Sequence, residues 1–315
     1  MTKPTDQTIY SRGYATEILK AEDLSLHRLT LPAPAPGFED FITPWLLKTK
    51  HATSLVDPGP TATIPYLAEL LKRQGVDRID FVLLTHIHID HAGGIGDFIS
   101  AFPGAKVVSH PRSFKHLIDP ARLWESSQKV LGDLANRYGP INPLPEDALL
   151  QDTPGFVPGI EVIDTPGHSS HHQSYLYTCK STKVLFAGEA AGVYLGNGYL
   201  RPATPPRFFF DVAYESLRRL METQPAITCY GHFGFTQDTG WLKKAAEQMV
   251  LWREALKEII ASEPDIGVKC ALAGLEQQDP YLERRHGFGE QVASRERYFI
   301  KNSIKGFLQS LKEDA

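Results

Sequence analysis

The chain has 315 residues, 42% of them apolar and 22% charged, with a formal net charge of −4. That balance is globular and large enough for one big domain or two ordinary ones, and the mild negative charge lacks the field that nonspecific nucleic-acid binding needs. No run of about 18 apolar residues is present to span a membrane, and the opening MTKPTDQTIYSRG lacks the apolar core of a signal peptide, so a cytoplasmic location is expected.

From Ala15 to Pro58 the stretches ATEIL, LSLHRLTLP, FITPWLLKTK and TSLVDPG alternate with Pro and Gly clusters, which predicts consecutive antiparallel strands. Thr61 to Gly75 reads as a helix with Pro65 in its first turns. IDFVLLTH is short and continuously apolar, as a buried strand is, so the histidines that follow it stand at a strand end. Gly93 to Phe102 predicts a short helix, KVVSHP a strand, and residues 111 to 138 a helical stretch. The proline-rich PINPLPEDALLQDTPGFVPG reads as a surface loop with one short strand. Strands resume with IEVIDTPGH, SYLYTCK and KVLFAGEA; a helix from about Asp211 to Glu222 then leads to the strand AITCYGH. Beyond Phe235 two long helical patterns dominate, Trp241 to Ser262 and Gln291 to Lys312. In the second, Val292, Phe299, Ile300, Ile304, Phe307, Leu308 and Leu311 form an apolar stripe, expected to pack on the body of the protein. Cys179, Cys229 and Cys270 are far apart with no CxxC pair, and read as small apolar residues rather than a disulfide framework or cysteine zinc site.

The chemistry concentrates in LLTHIHIDHAGG, residues 83 to 94, which holds His86, His88, Asp90 and His91. Crowding three imidazoles and a carboxylate beside Leu83 and Leu84 carries a desolvation cost unless each is hydrated, hydrogen-bonded or ligated. In an extended His-x-His segment both rings point to one side, which suits one ion; Asp90 and His91 lie past the bend and address a second. Further ligand-type residues follow apolar strands: Asp57, His110, His168, Glu189 and His232. Strand ends are rigid and converge at a sheet edge, where a metal site is readily assembled. Asp57 reads either as the carboxylate that fixes a ligand imidazole's tautomer or as a turn residue in Asp-Pro-Gly.

The segment resembles the His-x-His-x-Asp-His motif of the metallo-β-lactamase superfamily, and Pro166-Gly167-His168 and Gly231-His232 fall in that family's order. The resemblance implies an α/β fold, an αββα sandwich of two mixed β-sheets flanked by helices, over residues 1–235, with residues 236–315 as a C-terminal helical extension packed on it. It implies two divalent metal ions, zinc first, with iron or manganese as alternatives. His86, His88 and His168 would hold one, and Asp90, His91 and His232 the other. Glu189 stands where the family usually has a bridging Asp. Its carboxylate reaches farther from the backbone, roughly 1.5 Å, so it either bridges from a strand set back or serves one ion only.

With such a pair the expected activity is hydrolysis of an activated acyl bond, a thioester or lactone in a small-molecule substrate, with Asp90 as the catalytic residue that orients the nucleophile and passes a proton. The alternative is a non-catalytic metal- or ligand-binding member of the fold, or an iron-based redox one. Tyr194, Arg201, Arg207 and Phe209, in the loop after Glu189, are candidate substrate contacts; an arginine there would pair a substrate carboxylate. The same loop also reads as a packed strap. His171 and His172 read as a polar rim, and His286, just before the last helix, either as a group that closes over the site or as a surface histidine. The C-terminal helices resemble in placement those of the glyoxalase II hydrolases, whose glutathione-binding basic residues have no matching motif here. A homodimer is compatible with the aromatic stretch near Phe208. Neither nucleic acid nor a membrane is expected as a partner.

Overall fold

A computed structural model describes residues 13–151, 155–262 and 267–313. The N-terminal stretch before Gly13 and residues 152–154 of the proline-rich loop lie outside them. Contacts divide the chain into two compact units, Met1–Val162 and Ile163–Ala315.

The first unit is built on a six-stranded sheet in the order β1-β2-β3-β4-β5-β6. Strands β1 (Tyr14–Ala21), β2 (Leu24–Thr30), β3 (Trp45–Thr49) and β4 (Thr53–Val56) form the expected antiparallel meander. Helix α1 (Ile64–Arg73), with Ile64, Leu67, Leu70 and Leu71 buried, crosses over to β5 (Phe81–Leu83), which pairs parallel to β4. The short helices α2 (Ile89–Ala92) and α3 (Ile95–Ala101) lead to β6 (Lys106–Val108), parallel to β5. Both parallel neighbours of β5 are helix-connected crossovers, which is why its sequence is apolar without alternation. The helical stretch that follows is three helices, α4 (Phe114–Ile118), α5 (Ala121–Leu131) and α6 (Asp133–Tyr138). Pro120 and Gly132 interrupt it, because proline removes a donor and glycine favours a chain reversal. The strand expected in the proline-rich loop is a single bridge, Leu149 to Val107.

Strand β7 (Ile160–Asp164) carries the boundary and edges a second sheet, ordered β13-β12-β9-β8-β7. Strands β8 (Gln173–Cys179) and β9 (Thr182–Gly188) pair antiparallel. The small hairpin β10 (Val193–Tyr194) and β11 (Leu200–Arg201) and helix α7 (Phe210–Glu222) then precede β12 (Ile227–Tyr230), which runs parallel to β9. β13 (Phe235–Thr236) closes the sheet antiparallel to β12. Both sheets are therefore mixed. The second unit also contains α8 (Gly240–Ser262), α9 (Val268–Gln278), α10 (Pro280–Glu283) and α11 (Glu290–Glu313). No described helix is long and apolar enough to cross a membrane.

Trp252 anchors the helical part: its ring is fully buried and its indole N–H donates to Asp279 at 2.6 Å. Burial raises the Asp279 carboxyl above its usual range, against the pull of donors that include Gln248 and the backbone of Tyr281 and Leu282 at the start of α10. In α11 the stripe is buried at Ile300, Ile304 and Phe307 and half-buried at Val292, Phe299, Leu308 and Leu311. Beside it runs a second, polar stripe that the apolar pattern concealed: Glu296, Ser303 and Ser310 are also buried.

Candidate metal centre

Each unit carries a set of donors, and parallel strand registers build both. In the first unit Val56 pairs with Leu83, so the residues just beyond β4 and β5 are neighbours, and the Asp57 N–H donates to the Leu83 carbonyl at 3.1 Å. Asp57 adopts φ +49°, a left-handed conformation uncommon outside glycine. That turn folds its carboxylate back onto the histidine loop, where it accepts from the Thr85 N–H at 2.8 Å and the Thr85 hydroxyl at 2.6 Å. It also lies 3.1 Å from His91 Nδ1.

These contacts assign tautomers. His91 Nδ1 faces a carboxylate and so carries the proton. The Thr85 hydroxyl gives its proton to Asp57, so at 3.0 Å from His86 Nδ1 it accepts one. Both imidazoles therefore present the Nε2 lone pair, the form a metal requires. The two rings stand 4.2 Å apart, centroid to centroid, and the His88 ring lies 4.7 Å from His86. Asp90, half-buried in the single turn of α2, places its carboxylate 3.8 Å from His91 Nε2. Asp57 is thus both the turn residue and the tautomer-fixing carboxylate that the sequence left as alternatives.

The second unit repeats the logic with different parts. Tyr230 pairs with Gly188, and the Gly231 N–H donates to the Gly188 carbonyl at 2.8 Å, which sets Glu189 beside His232. The buried Glu189 carboxylate has one oxygen 2.9 Å from His168 Nε2 and the other 3.7 Å from His232 Nε2. His168 Nδ1 donates to the Ala203 carbonyl at 2.8 Å, again leaving Nε2 as the lone-pair nitrogen. Its turn is pressed against α7: Ser216 donates to the Pro166 carbonyl at 2.6 Å, and a Cβ on Gly167 would lie 2.6 Å from the Ala213 Cβ, so only glycine fits.

His172 is not at the rim. It is buried, and its Nε2 accepts the Glu189 N–H at 3.1 Å, so Nδ1 must donate to Thr165 at 2.8 Å. Thr165 in turn lies 2.9 Å from the Ser174 hydroxyl, which donates to the Ala187 carbonyl. The chain fixes the backbone from which Glu189 springs. The adjacent pair His171-His172 was the signal; only the fold shows which of them turns inward.

The donors fit a divalent ion. Ligand atoms bound to one zinc at roughly 2.0–2.2 Å stand roughly 3–3.5 Å from each other, and the two separations at Glu189 bracket that spacing. Neutral imidazole and carboxylate suit zinc, iron and manganese alike. No thiolate joins them: burial pushes the Cys229 thiol well up, which keeps it protonated.

Within the second unit a narrow cleft begins at His168 and Glu189 and is lined by Ala191, Ala203, Arg201 and Gln248. Of the four candidate substrate contacts, Arg201 lines it. Arg201 is also buried against Glu296, with its Nε 2.6 Å from that carboxylate. Tyr194 packs against Trp241 and Tyr230, while Arg207 and Phe209 are exposed and do not line the cleft. His110 accepts from the Arg112 N–H in a capping turn, and His286 is exposed.

A family model described as the metallo-β-lactamase superfamily matches residues 37–232, which takes in every donor above. The chain belongs to that superfamily. The metallo-β-lactamase fold-containing protein ST1585 of Sulfurisphaera tokodaii is 30% identical over 259 residues, 78% of this chain and 88% of that one. A crystal structure of ST1585 matches with a TM-score of 0.64 over 90% of this chain and 97% of that chain, at 26% identity. A hydroxyacylglutathione hydrolase of Cupriavidus taiwanensis is 25% identical over 80% of this chain and 86% of its own length. An N-acyl homoserine lactonase of a Bacillus species is 27% identical over 53% of this chain and 61% of its own. The two mixed sheets with their helices are those of the metallo-β-lactamase fold, as the motif implied.

Replacing Asp57 with Asn tests the tautomer assignment. An amide keeps the shape but offers one acceptor oxygen for three donors, so His86 or His91 loses its fixed proton. Zinc affinity, measured by competition with a chromogenic chelator, is expected to fall about 10–100-fold, with little change in circular dichroism.

Proposed function

We propose that this member of the metallo-β-lactamase superfamily is a metal-dependent hydrolase of an activated acyl bond, a thioester or a lactone, in a small-molecule substrate. The observation that carries the reading is the tautomer fixed at His86 and His91 in the first unit and at His168 in the second, each of which presents Nε2 as the ligating nitrogen. In this reading His86, His88 and His168 would hold one divalent ion and Asp90, His91 and His232 a second, with Glu189 as a ligand between His168 and His232. Two such ions, when bound, bring the pKa of a water toward neutrality and polarise the acyl carbonyl. The protein's own residues do the rest. Asp90 orients the attacking water and carries a proton toward the leaving group, while Asp57 and Thr85 hold two imidazoles in the ligating tautomer. The narrow cleft beside His168 and Glu189, with Arg201 and Gln248 in its lining, is where the acyl group would approach. The substrate class draws support from relatives named as a hydroxyacylglutathione hydrolase and an N-acyl homoserine lactonase.

The test is a panel of acyl thioesters and lactones with the metal-loaded protein. Turnover abolished by a chelator and reduced about 100-fold or more in Asp90→Asn is the expected result. Stoichiometric metal with no turnover across the panel would instead favour a binding or redox role for the same site.

A further inference from the structure

Helix α11 reaches the metal ligand His168 through a strap it clamps. The strap, residues 202–206, reads Pro-Ala-Thr-Pro-Pro. Its three prolines offer no N–H, so the strap cannot be held by a sheet ladder. It is held by α11 instead. The Ser303 hydroxyl accepts the Thr204 N–H at 3.3 Å and donates to the Pro202 carbonyl at 2.9 Å, bridging the residues on either side of Ala203. The Thr204 hydroxyl donates to the Ser303 carbonyl at 3.4 Å. One turn on, Gly306 permits the close approach: a Cβ there would lie 2.1 Å from the Thr204 carbonyl oxygen and 3.0 Å from that of Pro205. The polar stripe continues at both ends, where Glu296 accepts from Tyr199 and Arg201, and Ser310 accepts the Phe210 N–H at 3.2 Å. Glu296, Ser303 and Ser310 are spaced by seven residues, two helical turns, so one helix face grips the whole strap. The product of that grip is the position of one carbonyl, Ala203, which takes the His168 Nδ1 proton.

We propose that α11 is the positioning element for His168, with Ser303 and Gly306 setting the carbonyl that orients its ring toward the metal. The proposal rests on His168 being a metal ligand. Neither Ser303 nor Gly306 touches a metal or a substrate; both act through the strap.

The test compares wild type, Ser303→Ala, Gly306→Ala and the exposed control Lys305→Ala. Zinc affinity is read by chelator competition, and coordination by the visible absorption bands of the cobalt(II)-loaded protein. Thermal unfolding of the metal-free chains reports folding separately. Ser303→Ala removes the bridging hydroxyl without adding an atom, and is expected to weaken zinc about tenfold and shift the cobalt bands; Gly306→Ala pushes the strap outward and has the larger effect, up to about 100-fold. Lys305→Ala leaves both readouts at wild-type values. A folded Ser303→Ala chain with wild-type zinc affinity and cobalt spectrum overturns the proposal, whether or not Gly306→Ala folds. A wild-type chain that takes up no zinc overturns the metal reading and the proposal with it; wild-type uptake with unaltered variants overturns the positioning role alone.

Discussion

Glu189→Asp is expected to lower the metal content from about two ions per chain to about one, and turnover by about two orders of magnitude. The sequence left open whether the longer side chain bridges or whether an aspartate would restore a second ion. The expectation follows from the first. Glu189 already sets one oxygen 2.9 Å from His168 Nε2 and the other 3.7 Å from His232 Nε2. Removing a methylene withdraws the carboxylate by roughly 1.5 Å. The backbone has little freedom to follow, because its N–H is held by His172 and the preceding carbonyl by Gly231. Elemental analysis and turnover on the same preparations check the result. An Asp variant that keeps two ions and full activity would show that Glu189 does not set the spacing.

The second large effect lies away from the candidate metal ligands. Glu296 is fully buried and accepts from Arg201 Nε at 2.6 Å, Tyr199 OH at 2.8 Å and Arg295 Nε at 2.9 Å. Glu296→Gln leaves two buried guanidinium groups without their carboxylate and is expected to cost about 3–5 kcal/mol of stability at neutral pH. The cost depends on pH in a defined direction. Burial alone would raise the Glu296 carboxyl, but Arg201 and Arg295 outweigh it and hold the group below its usual range. A carboxyl with a depressed pKa in the folded state contributes stability that is present above the unfolded value of about 4.3. That contribution is lost as pH falls through the folded value. Urea unfolding of wild type and variant should therefore differ most at neutral pH and converge in acid. A constant gap down to pH 3 would mean that packing, not charge, makes the difference.

Much of this was legible in the chain itself, for physical reasons. A crowded His-x-His-x-Asp-His loop after a short apolar run has few inexpensive explanations, and the strands before Asp57, Glu189 and His232 announce themselves by composition. Local pattern reveals which residues follow a strand. It does not reveal what holds them. Thr85 looks like any strand-end threonine until its hydroxyl is seen between His86 and Asp57. His172 looks like half of a solvated pair until its partner proves to be the Glu189 backbone. An arginine of this loop was expected to pair a substrate carboxylate; in Arg201 one edge of the guanidinium is committed to Glu296, 95 residues away, a pairing no local window contains. The polar stripe of α11 was hidden for a different reason: serines interleaved with an apolar stripe read as tolerated breaks, when they are the contacts themselves.

The distances along the chain give the α11 clamp a kinetic meaning. Its hydrogen bonds join residues 95 to 101 positions apart. Closing a loop of that size costs on the order of 4 kcal/mol of chain entropy before any contact repays it, so these bonds are expected to form late in folding. Contacts that form after the transition state govern how fast the native chain opens rather than how fast it forms. A clamp formed that late is expected to act on lifetime: Ser303→Ala should unfold faster than wild type while folding at the wild-type rate, and stopped-flow kinetics in urea check this; a slower folding rate would place the clamp in the folding nucleus instead.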